Sequence, residues 1–126
     1  MRPIVPIALL VLASCAGPSV PPAQEFAAHE LAGRVPGPPQ ECVTTFPSQN
    51  LRVIDATTLA YGYSRTIYVN HLPGPCPALS AFNTVQVEAQ VGSQYCRGDH
   101  VRGLEPGGVI PGPWCNLGDW TPYRMR

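Results

Sequence analysis

Four cysteines, Cys42, Cys76, Cys96 and Cys115, are spread over the last two thirds of this 126-residue chain. They constrain what that stretch can fold into more tightly than any other feature. It amounts to about 80 residues, and at that size a hydrophobic core alone seldom contributes more than about 3–5 kcal/mol. A disulfide contributes about 2–4 kcal/mol, so two of them rival everything else that holds such a domain together. Three pairings are open. Loop length does not choose among them, because closure entropy grows only logarithmically, by about 0.6 kcal/mol per doubling. The competing use, one zinc site built from all four thiolates, lacks any pair at the usual two-to-four spacing and would sit in an oxidising compartment.

The fifth cysteine bears on that compartment. Met1 and Arg2 are followed by Ile4, Val5 and the run Ile7 to Leu12, an apolar stretch of roughly ten residues. This is about half the length a membrane-spanning helix needs, and it fits the apolar region of a signal peptide. Leu12-Ala13-Ser14-Cys15 resembles a bacterial lipobox. The resemblance implies that the Cys15 thiol takes up a diacylglycerol, that the leader 1–14 is cut away, and that the new amine is acylated. Several acyl chains, at about 0.8 kcal/mol per buried methylene, make a durable anchor. Ala16 rather than an aspartate follows the cysteine, which by the same resemblance implies the outer membrane, facing the periplasm. Removing Cys15 from the count leaves an even four thiols in an oxidising space.

Residues 15–41 read as a lipidated cysteine and a tether. Pro18, Pro21, Pro22, Pro36, Pro38 and Pro39 alternate with alanine and glycine, a composition that favours extended polyproline geometry. A helical turn over 23–34 is expected to be transient at most, since Phe26 and Leu31 are five residues apart and share no stripe. A polyproline ligand for a partner is the sharper alternative.

From Cys42 to Arg126 the pattern is that of strands. Nine of the ten aromatic residues lie here. Leu51 to Asp55, Thr58 to Ser64 and Thr66 to Leu72 predict a three-stranded meander. Pro73-Gly74-Pro75 breaks it, and Pro77 to Phe82 predicts one helical turn opened by proline. Val85, Val87, Ala89 and Val91 alternate with Gln86, Glu88 and Gln90, a strand with one apolar face. Tyr95 to Asp99 closes that strand in a turn. His100 to Leu104 forms another, and Cys115 to Tyr123 a last one, placed at an edge because of Pro122. The expected fold is mostly β: a small antiparallel sheet with that meander, two or more further strands and at most one short helix, stapled by two disulfides.

Charge excludes one class of function. All eight basic residues are arginines, scattered singly, and they balance eight acids. Past the leader, seven arginines face the same eight acids for a net charge of about −1. A nucleic-acid binder would carry a basic stripe.

Phosphate-cradling, nucleophile-elbow, zinc-protease and haem-attachment motifs are all missing from the sequence. His71 and His100 with a carboxylate make a metal or acid–base site only if strands bring them together. Asp99 and His100 are neighbours on a strand and point to opposite faces. Arg97-Gly98-Asp99 spells an integrin-binding tripeptide but reads better as a β-turn. The four cysteines lack the Cys-x-x-Cys spacing of redox sites. Tyr61, Tyr63 and Tyr68 are tentative ligand-facing residues, an aromatic platform for peptide or sugar, although strand packing is the commoner use of such residues.

One resemblance draws these features together. Cys42, Arg52-Val53-Ile54-Asp55 with Thr58-Leu59, Gly74-Pro75-Cys76, Cys96-Arg97-Gly98-Asp99 and Cys115-Asn116-Leu117 occur in the order found in a family of small exported bacterial proteins. That family is classed only as a domain of unknown function. Leu51 and the loop 105–113 depart most from its pattern. The resemblance implies export and disulfides and carries no activity. The expectation is a non-enzymatic binding or structural module of the cell envelope, with no cofactor and no nucleic acid. It would be anchored to the membrane at Cys15 and have an envelope protein or glycan as partner. A small envelope hydrolase or metal-dependent enzyme using His71 or His100 is the alternative.

Overall fold

Among the described residues, the chain forms ten short strands, the longer ones built on alternating apolar positions, and one proline-led helix. The computed structural model describes residues 19–126 and, ahead of them, positions 1, 3, 4, 6 and 17. Cys15 and the lipobox-like run before it lie outside the described residues. In chain order the elements are α1 (Pro22–His29), β1 (Arg34–Pro36), β2 (Cys42–Thr44), β3 (Leu51–Asp55), β4 (Thr58–Tyr61) and β5 (Thr66–His71). They continue with β6 (Thr84–Glu88), β7 (Gln94–Cys96), β8 (His100–Leu104), β9 (Cys115–Asn116) and β10 (Trp120–Met125).

Three antiparallel sheets result. The largest runs β1-β10-β5-β4-β3, and the others are β2-β7 and β6-β8-β9. The predicted meander is β3-β4-β5. Its first turn is fixed by Asp55, whose Oδ1 accepts bonds from the Thr57 N–H at 2.8 Å and hydroxyl at 3.0 Å.

Period-two alternation distributes the core. Leu59 and Tyr61 of β4 point into the main cluster with Leu72, Leu117, Val101 and Trp120. Ala60 points the other way, to Phe26, Ile67 and Val69. The large sheet is therefore covered on one face by α1 and on the other by the two small sheets, and every residue of β4 is buried. Thr58, Asn70 and Asp99 are the polar residues buried among the described residues. The Asn70 amide is fully buried and trades two bonds with the Gly118 backbone, at 2.8 and 2.9 Å. A side chain at Gly118 would run into the His71 carbonyl.

The pairing of the cysteines is Cys42–Cys96 and Cys76–Cys115. Cys42 and Cys96 are register partners on β2 and β7, with Cα atoms 4.0 Å apart. Arg97 N–H donates to the Glu41 carbonyl next door, so the cysteines occupy the close, non-hydrogen-bonded position of the ladder. Cys76–Cys115 joins the connection after β5 to β9 and ties the large sheet to the three-stranded one.

The tether reading needs correction between Pro22 and Pro36. Pro22 starts α1, where its missing N–H costs nothing, with Glu25 in the first turn and His29 in the last. Phe26 is buried, and Leu31 packs against the same cluster because the chain closes back after the helix, with Leu31 N–H donating to the Phe26 carbonyl. β1 then pairs with β10.

Four element boundaries also differ. The second meander strand ends at Tyr61, because Gly62 takes a positive φ of 91°. Residues 77–82 form turns rather than a helical one, with Leu79 N–H bonded to Cys76 O and Asn83 N–H to Ser80 O. β6 stops at Glu88, and β7 pairs with β2 instead of continuing it. The last strand splits in two, and β10 is interior rather than an edge. Pro122 is tolerated there because the main-chain groups of Trp120 and Pro122 face the segment 37–40, where Gly37 N–H donates to Pro122 O. Its missing N–H removes no bond from the ladder with β5.

Replacing either cysteine pair by alanine is expected to lower unfolding stability by about 2–4 kcal/mol, read as a lower urea midpoint. Peptide mapping without reduction should recover only the 42–96 and 76–115 links.

Candidate functional site

β3 and β6 each end a sheet, so each has one side of its backbone without a strand partner. The two edges flank one groove of about 590 Å³. One wall is the 49–54 segment and the other is 83–87. Leu51, Val53, Val85, Val87 and Tyr95 line it, and all five also pack against the main core cluster. The rim is made of amides and a hydroxyl: Gln49, Asn50, Asn83 and Thr84. Val53 and Ile54 also line a second hollow of about 370 Å³ against α1.

The electrostatics of this groove are nearly neutral. Arg52 is its only charged lining residue, and its guanidinium is already engaged. It donates to both carboxylate oxygens of Glu30 at 2.7 and 2.9 Å and to the Gly62 carbonyl at 3.1 Å. It also stacks 4.1 Å from the Tyr63 ring centroid. This clamps α1 onto β3. Burial, with a smaller contribution from Tyr61, raises the Tyr95 hydroxyl above its ordinary value of 10.0, so it stays protonated at neutral pH. Packing and amide hydrogen bonding are what the groove offers a ligand, together with two rows of backbone donors and acceptors.

The residues singled out from sequence do not assemble there. Tyr61 is buried, edge-on to Tyr95 with centroids 5.9 Å apart. Its hydroxyl accepts the Phe46 N–H at 2.7 Å. Tyr68 is its half-buried register partner. Tyr63, beyond Gly62, is exposed and stacked on Arg52. Tyr61 and Tyr68 together line a separate hollow of about 430 Å³ with Phe46 and Gln49, whereas Tyr63 does not line it and stands against Arg52.

His71 lies on β5 opposite Thr58, whereas His100 lies on β8 between Glu88 and Asn116. The two are on different sheets. Among the described residues, no group of three His, Cys, Asp or Glu side chains is placed to hold a metal ion.

The Arg97-Gly98-Asp99 tripeptide is a turn. Gly98 has a φ of 87°, and the buried Asp99 accepts the Cys96 N–H at 2.8 Å. Arg97 bonds Glu41 at 2.6 Å and Asp119 at 3.0 Å.

Sequence reasoning missed the groove and the Arg52–Glu30 clamp. The Val85/Val87 alternation was visible, but edge status depends on which strands pair. Comparison with protein-family models, with curated proteins and with solved structures finds no match to this chain.

Asp55, at the end of β3, gives a pH test. Burial pushes its carboxyl up, but hydrogen bonds from Thr57 and Thr58 outweigh that and hold it below its ordinary value of 3.8. The depressed value contributes stability at pH above about 4, which is lost as pH falls through the folded value. Asp55→Asn is expected to flatten the acid limb of the stability–pH curve in this range, measured by thermal unfolding.

Proposed function

We propose that the protein is a non-enzymatic binding module of the bacterial cell envelope whose β3–β6 groove takes an extended, uncharged stretch of polypeptide. The observation that carries this reading is the pair of unpartnered strand edges facing one groove with an apolar floor. An added strand satisfies main-chain donors and acceptors, and its alternate side chains enter the floor. A sugar or a lipid has no matching periodic row of donors and acceptors. The lining amides and aliphatic side chains supply contact rather than a nucleophile or a general base, which favours binding over catalysis. Nothing in the placement of His71 and His100 favours the enzymatic alternative.

Two disulfides fit an oxidising, exported location. Among the described residues no helix is long and apolar enough to cross a membrane. In this reading the chain is held at the outer membrane, facing the periplasm, by acyl chains on Cys15.

Two measurements test these statements. A photo-crosslinking residue at Thr84, on the rim, should capture an envelope protein in living cells, and the same residue at exposed Ala27 should not. Adducts equal at both positions, or adducts to glycan alone, overturn the peptide reading. Intact mass should show a mature chain beginning at acylated Cys15, with processing blocked in Cys15→Ala. An uncleaved, unmodified amino terminus overturns the anchor.

A further inference from the structure

The three most exposed large apolar side chains of residues 19–126 are Val109, Phe82 and Ile110, at 90%, 87% and 85%. They lie on two loops that pack together. Gly112 abuts Ala78 so closely that a side chain at Gly112 would overlap the Ala78 methyl. Gly103, beneath them, likewise leaves no room beside the Ala78 carbonyl. Asn83 Nδ2 pins the first loop by donating to that same carbonyl at 2.8 Å. The pair of loops therefore presents Phe82 from one and Val109-Ile110 from the other. We propose that this tip is a second membrane contact, with Phe82, Val109 and Ile110 inserted into the interfacial layer of a lipid bilayer.

Three features select a bilayer over a protein partner. Residues 77–83 and 106–113 contain no charged side chain, the nearest acid being Glu105 where the second loop begins, so inserting the tips of both loops strips water from no ion. The second loop also has few main-chain donors to desolvate. Pro106, Pro111 and Pro113 have no N–H, while Gly108 and Gly112 donate theirs to the Glu105 and Gly103 carbonyls at 2.9 Å. An unsatisfied donor in hydrocarbon is costly; five of the eight positions 106–113 carry no free N–H, and those of Gly107, Val109 and Ile110 call for the hydrated interfacial layer, which supplies acceptors, rather than the hydrocarbon core. Finally, the base of the tip has the make-up of an interfacial belt. Trp114 is 41% exposed, and the Arg102 guanidinium lies 4.0 Å from its ring. Tryptophan sits at headgroup level, and arginine keeps its charge in water while its stem lies along apolar surface.

The inference is independent of the groove and does not require acylation. It adds a contact that orients the domain on whichever bilayer it meets. The test uses the full mature protein with vesicles of phosphatidylethanolamine and phosphatidylglycerol containing brominated phosphatidylcholine. Trp114 emission, isolated by subtracting the Trp114→Phe variant, should shift to shorter wavelength and be quenched. Both effects should vanish in the combined Phe82→Ser, Val109→Ser, Ile110→Ser variant and persist in Val91→Ser, an exposed valine elsewhere. An unchanged near-ultraviolet dichroism spectrum shows that the triple variant is folded. Intact mass of the same sample reports acylation separately, so loss of the anchor and loss of the tip contact are told apart. Unquenched Trp114 on vesicles overturns the proposal. So does quenching that survives the triple substitution. Loss of a co-purifying protein in the triple variant, without lipid quenching in the parent, replaces the bilayer with a protein interface.

Discussion

Burial of the large sheet on both faces is the constraint from which the rest of this structure follows. Strands β4 and β5 carry apolar side chains up and down, Leu59 and Tyr61 to one side and Ala60, Ile67 and Val69 to the other. A sheet that is apolar on both faces needs two covers. A chain this short supplies one of them with a single eight-residue helix and the other with two small sheets. Neither cover is large enough to hold itself in place by area alone. Each is fixed by a specific link instead: the Arg52–Glu30 pair and Phe26 for the helix, and Cys76–Cys115 for the three-stranded sheet. The Asn70–Gly118 exchange adds a third fixed point, since a buried amide left unpaired costs about 1–3 kcal/mol.

The same economy produces the groove. Closing the space between β3 and β6 would need one more strand, and the described residues supply none there. Two edges consequently face each other over a thin part of the core, with Val85, Val87 and Tyr95 reachable from solvent. Open edges are ordinarily guarded by inward-pointing charge or proline. Here the nearby charge, Arg52, is drawn away to Glu30, and the edges stay available for pairing. The open groove and the marginal core size thus share one origin.

Several features were legible before any coordinates. The meander was, because Leu51–Asp55 and Thr66–His71 alternate cleanly and Asp55 announces its turn. The use of four cysteines as two staples was too, since an 80-residue β domain has few other means of stability. Less visible was the helix. Phe26 and Leu31 do not share a stripe on an ideal helix, yet they meet because the chain turns back just after it. Pro122 misled in a different way. Proline excludes a strand only where its N–H is needed, and that is settled by which neighbour its main chain faces.

Sequence by itself determined composition-level and local matters: a mostly β chain, four cysteines spread through one small domain, and turns at Asp55 and at Gly98–Asp99. These depend on side-chain chemistry and on contacts a few residues apart. Tertiary structure alone decided the disulfide pairing, the interior place of β10, the fate of the three tyrosines and the existence of a groove and an apolar tip. Each of those depends on which distant segments lie side by side. Alternation tells a strand which face is wet, but it leaves open which neighbour pairs with it and which edge finds none.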